Sequence, residues 1–145
     1  MLSGMNHKLN TRLKRARTVS LVLLFFLGLS ALPAAIFMLM DPSGMKMGLP
    51  PEMLDQTPFD SFLIPAILLG LFNGILSLLF AILVIKKHRL QAWMIMFQGS
   101  VLMIWLTVEV LMGLYYPALT LPYYLVAILL LSCGLVMKLS KSGLS

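Results

Sequence analysis

The chain has 145 residues and a formal net charge of +6; 60% of its residues are hydrophobic and only 11% are charged. A soluble domain of this size would have too few polar residues to cover its core, so the composition excludes a soluble globular protein. Nucleic-acid binding is also disfavoured, because the basic residues flank apolar stretches instead of covering a folded surface.

The basic residues are concentrated in short segments. Ten of the eleven Lys and Arg residues fall in residues 8–17, 86–89 and 138–141, whereas residues 41–60 hold four of the five acidic residues and the single cation Lys46. Because basic loops of membrane proteins stay in the cytoplasm, this alternation predicts four crossings with both termini cytoplasmic. We therefore predict an all-α integral membrane four-helix bundle, N-in and C-in.

The apolar stretches between these segments are long enough to span a bilayer. They predict spans at about residues 19–40, 62–85, 90–113 and 121–137 within a single domain, residues 1–145. The basic start of the first span is also typical of a signal peptide, but the apolar run continues beyond Ala34 and Ala35 to full spanning length, which favours an uncleaved helix. The outer loop between the first two spans is rich in proline and glycine.

The second predicted span carries small and polar residues at three- and four-residue spacing, which places them on one helix face. They are Ala66, Gly70, Asn73, Gly74, Ser77 and Ala81. Small residues at this spacing let two helix backbones approach closely, so Gly70 and Gly74 are predicted to pack against a helix. That helix belongs either to the same bundle or, as the alternative, to a second copy of the chain.

The third predicted span contains the one ionisable residue within a span, Glu109. Its neighbours at helical spacing form a stripe with it: Gln98, Leu102, Trp105 and Met112. Because a carboxylate facing lipid is costly, the stripe should face the other helices or water. Asn73 and Ser77 lie at a depth close to that of Gln98 if the second and third spans are antiparallel. The candidate intramembrane polar site is therefore Glu109, Gln98, Asn73 and Ser77.

The role of Glu109 has three interpretations. In the first, Glu109 is an interfacial acid, because it lies only about four residues from the outer end of its span. It then bonds to a tyrosine of residues 115–124 or pairs with Lys46. Alternatively it is a proton- or cation-linked residue of a small transporter. The third interpretation is a ligand-binding acid in an outward-facing cleft.

Catalytic and metal-binding patterns are absent from the sequence. It has no nucleophile beside a base and no glycine-rich phosphate loop. His7 and His88 lie in basic segments without acidic or cysteine neighbours, and Cys133 has no second cysteine to pair with. We predict a protein that is not an enzyme and that holds no cofactor or metal.

The stretch Thr57-Pro58-Phe59-Asp60-Ser61-Phe62-Leu63-Ile64-Pro65 resembles a group of small, uncharacterised bacterial four-helix membrane proteins. In these a similar stretch opens the second helix, although Ala66 stands where the group leads us to expect glycine. The resemblance implies the fold and a bacterial inner membrane, and it implies no activity.

The sequence favours a non-enzymatic, multi-pass membrane protein that acts through partner proteins or lipids. Its expected partners are membrane lipids, and a membrane protein or a second copy of the chain, without nucleic acid. The alternative is a small transporter or channel in which Glu109 is the proton- or cation-linked residue.

The charge pattern generates a prediction about topology. A cysteine placed at Ser43 should react with a membrane-impermeant thiol reagent from the outer face, because residues 41–60 are predicted to lie outside. Labelling of that cysteine from the cytoplasmic side only would contradict the predicted orientation.

Overall fold

The computed structural model describes residues 2–143, and the regular structure in that range is helical. The four long helices are α1 (Leu2–Met40), α2 (Leu63–Ile85), α3 (Gln91–Leu111) and α4 (Pro117–Ser142). Each is long and apolar enough to cross a membrane. The prediction of an all-helical chain with four such helices is confirmed. Short 3-10 turns, Met45–Met47 and Pro51–Leu54, interrupt the connection between α1 and α2.

Helix α1 is much longer than the span predicted from the sequence. Its 39 residues would extend roughly 58 Å, about twice the hydrocarbon thickness of a bilayer. The segment before residue 19, which carries five basic residues, is thus a helical extension of the span. Leu13 packs against the core, and Leu9 lies beside Gly143, where an added Cβ atom would be 3.2 Å from Leu9 Cδ1. These apolar contacts keep the extension helical.

Helix α4 also exceeds its predicted bounds, residues 121–137. It begins at Pro117, in the first turn where a proline is tolerated, and it continues through Lys138 and Lys141 to Ser142. The span was predicted to end at residue 137 because charged residues follow. The helix itself continues past them because its inner face remains packed. Ser140 and Met137 are buried.

The helices form two close pairs, α1 with α2 and α3 with α4. Helix α1 packs along both α2 and α4, and α4 packs along α3. Helices α2 and α3 contact each other through fewer residues. This arrangement leaves room between α2 and α3 at one end of the bundle.

The small-residue face of α2 lies against α1. A Cβ atom added to Gly74 would lie 2.7 Å from the Leu32 side chain, and one added to Gly70 would lie 3.1 Å from Ala35 Cβ. On the facing surface, a Cβ atom added to Gly28 would lie 3.2 Å from the Gly74 carbonyl oxygen. The structure thus places Gly70 and Gly74 in a close helix contact within one chain.

A second close contact joins α3 to α4. A Cβ atom added to Gly134 would overlap the Met96 side chain and lie 2.8 Å from the Ala92 carbonyl oxygen. One added to Gly99 would lie 3.0 Å from the Ala127 carbonyl oxygen. Because the nearest atoms include backbone, a side chain at either glycine would force the two helices apart.

The outward faces of all four helices are apolar. Large hydrophobic side chains are exposed along each of them, for example Val22, Ile75, Ile104 and Leu125. The interior is filled by fully buried residues such as Leu24, Ile95 and Leu130. A helix that is apolar both inside and outside its bundle is suited to a lipid environment.

The two ends of the bundle differ in charge. We call the end formed by residues 8–17, 86–89 and 138–141 the basic end, and the end formed by residues 41–62 and 112–117 the loop end. At the basic end Arg17 Nε donates to Gln91 Oε1 at 3.0 Å, which ties α1 to α3. Lys138 Nζ lies 4.1 Å from the centre of the Trp93 ring, an attractive cation–π arrangement between α4 and α3.

At the loop end the connection between α1 and α2 folds over the bundle. The Phe62 amide donates to the Pro42 carbonyl at 2.9 Å, and Phe62 is buried. Asp41 accepts hydrogen bonds from the Ser43 hydroxyl and the Lys46 amide, at 2.6 and 2.8 Å. These bonds, that of Ser43 first, lower the pKa of the Asp41 carboxyl group. The loop is thus fixed at its two points of attachment.

The close contact at Gly134 generates a stability prediction. Gly134→Ala should lower the free energy of unfolding by about 1–3 kcal/mol, because the new methyl group meets the α3 backbone. Thermal unfolding in detergent measures the change. Gly4→Ala is the matched control: no atom lies within 4 Å of the added Cβ, so this variant should be neutral or more stable. Equal melting temperatures for Gly134→Ala and the parent protein would contradict the close contact.

Candidate functional site

Helix α2 changes its hydrogen-bond pattern in its middle. Residues Leu69–Ile75 form a π-helical segment, and the Leu76 amide donates to the Leu71 carbonyl, five residues earlier. A return from this pattern to the α-helical one leaves a backbone carbonyl without its usual amide partner. The Phe72 carbonyl, next to Leu71, instead accepts a hydrogen bond from Gln98 Nε2 at 3.0 Å.

The same Gln98 side chain forms a polar seam between α2 and α3. Its Nε2 also lies 3.5 Å from Asn73 Oδ1, at the limit of a hydrogen bond. Gln98, Asn73 and Ser77 are all fully buried. Three of their atoms have no hydrogen-bond partner among the described residues: Asn73 Nδ2, Ser77 Oγ and Gln98 Oε1. Polar groups buried in this way are normally satisfied by water or by a ligand.

Above the seam, toward the loop end, the helices line a partly open cavity of about 420 Å³. All four helices contribute to its walls, and the loop between α1 and α2 covers it. The walls are mostly apolar, with contributions from Leu27, Ala31, Met38, Leu69, Leu106 and Leu119. The loop adds Met47, Leu49, Leu54 and Phe59. A volume of this size falls in the range of pockets that bind small organic molecules.

Glu109 lines this cavity, held by the residue one turn before it. Trp105 Nε1 donates to Glu109 Oε1 at 2.7 Å, a short bond typical of a charged acceptor. The first interpretation named a tyrosine or Lys46 as the partner, whereas the structure gives Trp105, because side chains at i and i+4 on one helix face each other. The other carboxylate oxygen accepts no hydrogen bond within residues 2–143. That oxygen is free to bind a donor or a cation.

The structure brings the four predicted site residues together only in part. Gln98, Asn73 and Ser77 form the buried seam, whereas Glu109 lies about eleven residues along α3, or roughly 16 Å, from Gln98. Asn73 links the two groups because it lines the cavity at its inner end. The cavity therefore extends from a carboxylate near the loop end to an amide at mid-helix.

Sequence reasoning missed much of this site. It singled out no α1 residue for a cavity wall, since alanines and leucines in a membrane span carry no distinctive pattern. The Trp105 bond to Glu109 could have been found from their four-residue spacing on one helix. The π-helical segment had no recognisable sequence pattern beyond the presence of Gly70 and Gly74.

No model of a protein family, no curated protein and no solved structure matches this chain.

The seam generates a second stability prediction. Gln98→Met keeps the side-chain size but removes the donor to Phe72 O and Asn73 Oδ1, so it should lower the free energy of unfolding by about 1–2 kcal/mol. Ser100→Ala is the control on the same helix, because the exposed Ser100 hydroxyl donates only to Met96 of its own helix, at 3.0 Å. Chemical denaturation in mild detergent measures both. A Gln98→Met protein as stable as Ser100→Ala would contradict a structural role of the seam.

Proposed function

We propose that this chain is a non-enzymatic, multi-pass membrane protein that binds a lipid-like amphipathic molecule in the cavity at its loop end. The observation that carries the proposal is the 420 Å³ cavity, with apolar walls and one carboxylate. The charge pattern supports an orientation with both termini in the cytoplasm. The loop end then faces the outside of a bacterial inner membrane.

A lipid-like ligand suits the cavity better than a soluble polar one. A polar molecule would leave its own hydrogen-bonding groups unsatisfied against side chains such as Leu27, Leu69 and Leu106. An alkyl chain gains by leaving water or by replacing a void against the same surface. The position of the cavity among helices suited to lipid also puts it within reach of molecules dissolved in the bilayer.

The cavity is better suited to binding a ligand than to conducting ions. Beyond Asn73 and Gln98, toward the basic end, the core contains the fully buried Leu24, Val84 and Ile95. Ions require polar or hydrated surroundings throughout a pathway. The packed apolar layer supports a cavity closed at its inner end.

A small transporter in which Glu109 is linked to protons or cations is the second candidate, favoured by the position of Glu109 on the cavity. Vesicles containing the protein and a pH-sensitive dye test it. Flux in the parent protein that vanishes in Glu109→Gln would establish transport. Absence of flux in the parent protein would leave ligand binding as the function.

The binding proposal is tested with tryptophan fluorescence. The chain has two tryptophans, and Trp93→Phe leaves Trp105, which lines the cavity, as the sole reporter. A fatty-chain amphiphile brominated along its chain, added to phosphatidylcholine nanodiscs, should quench Trp105. The quenching should saturate at a low mole fraction, because a bound bromine lies close to the indole.

Two variants on α1 separate bound amphiphile from bulk lipid. In the Trp93→Phe background, Ala34→Phe fills part of the cavity and should abolish the saturable component, leaving quenching that rises linearly with mole fraction. Leu29→Phe adds bulk on the exposed face and should retain it. The proposal would be overturned if the Trp93→Phe protein, without an α1 substitution, showed no saturable quenching. It would also be overturned if saturable quenching persisted in Ala34→Phe.

A further inference from the structure

We propose that the cavity selects a cationic amphiphile, whose ammonium group binds the Glu109 carboxylate while its alkyl chain fills the apolar space that ends at Asn73. This inference rests on the proposed function, since it names the headgroup class of the same ligand. It follows from the geometry of the carboxylate, the residues that surround it and the charge of the loop end.

The carboxylate of Glu109 is held in place by a hydrogen bond but has no ion-pair partner within residues 2–143. The Trp105 indole fixes one oxygen with a neutral N–H donor, at 2.7 Å. No basic side chain forms an ion pair with Glu109 within the described part of the chain. A negative charge partly removed from water without a counter-charge is unfavourable, and a bound cation would relieve it.

The lining of the cavity offers nothing to a negative headgroup. Its residues include no Lys, Arg or His within residues 2–143. A phosphate or sulfate group placed there would meet a carboxylate and no cation, so both anionic and zwitterionic amphiphiles would leave a charge unpaired. The lining thus discriminates against them by repulsion as well as by lack of a partner.

Aromatic side chains add an attraction for an ammonium group. Trp105, Tyr116 and Tyr123 all line the cavity. Aromatic rings attract quaternary and primary ammonium ions through their electron-rich faces, and the attraction increases when water is excluded. A carboxylate in an apolar cavity that aromatic side chains also line is a suitable environment for a lipophilic cation.

The charge of the whole loop end acts in the same direction. Residues 41–62 of the loop end hold four acidic residues, Asp41, Glu52, Asp55 and Asp60, and one basic residue, Lys46. The fifth acidic residue, Glu109, lies near that end of α3. The basic residues of 86–89 lie at the opposite end of α2 and α3. The field around the loop end is therefore negative, which raises the local concentration of cations.

The experiment compares amphiphiles that share one alkyl chain. Dodecyltrimethylammonium, dodecylmaltoside and dodecylphosphocholine compete with the brominated probe for the Trp93→Phe protein in phosphatidylcholine nanodiscs. Each competitor is expressed as its mole fraction in the bilayer, so that differences in partitioning cancel. The recovery of Trp105 fluorescence reports displacement of the probe.

We expect dodecyltrimethylammonium to displace the probe at about one-tenth the mole fraction that the maltoside requires, a preference equal to about 1.4 kcal/mol. In the same background, Glu109→Gln should remove that preference, because the amide keeps the size but not the charge. Glu52→Gln is the matched control: it removes an acid from the loop end that does not line the cavity. It should retain the preference.

The outcomes separate the inference from the function on which it rests. Equal displacement by all three amphiphiles would overturn the cationic preference while leaving amphiphile binding intact. A preference weakened equally by Glu52→Gln and Glu109→Gln would also overturn it, since the charge of the whole end would then account for it. Saturable quenching that no competitor reverses would contradict both. The comparison of the three competitors needs no charge variant, so it stands even if Glu109→Gln fails to fold.

Discussion

The structure depends on where its helices can approach closely and where they cannot. Glycines on α1 and α2, and again on α3 and α4, let each pair of backbones meet. Between α2 and α3 the chain offers instead a bulky polar side chain, Gln98, which bonds to a carbonyl made available at the π-helical segment. Close contact on two sides and a polar spacer on the third leave a space that no side chain fills.

That space is suited to binding a ligand because of the polar groups at its two ends. Asn73 closes the inner end with an amide whose nitrogen has no hydrogen-bond partner within residues 2–143. Glu109 stands toward the outer end, with one oxygen fixed by Trp105 and the other open. Between them the walls are apolar. The carboxylate and the apolar walls match the charged end and the apolar part of an amphiphile, and that match connects the packing of the helices to the proposed function.

The loop between α1 and α2 covers the cavity as well as connecting the two helices. Its apolar residues, such as Leu49 and Phe59, cover the cavity, and its attachment through Phe62 and Pro42 keeps them there. A ligand that enters from the bilayer must pass between helices or beneath this cover. The gap between α2 and α3 is the less tightly packed boundary.

Much of the fold could be predicted from the sequence, because hydropathy and charge act locally. Four long apolar helices follow from the composition of each segment. The helical extension before residue 19 was missed because its contacts are distant in sequence: Leu9 lies beside Gly143, just after α4, and Leu13 packs against the core. The stripe with Gln98 and Glu109 identified the inward face of α3. The cavity could not be predicted, since it results from the difference between two helix contacts and from a loop that folds over them.

The central claim is that an apolar chain, and not water, occupies the space beside Trp105. It is tested most directly by nuclear Overhauser spectroscopy of the indole N–H of Trp105, observed in nanodiscs with Trp93→Phe to give a single indole signal. The account predicts cross-peaks from this proton to acyl-chain methylene protons, and their loss in Ala34→Phe. Cross-peaks to water alone would contradict it and would favour a hydrated, transport-type cavity.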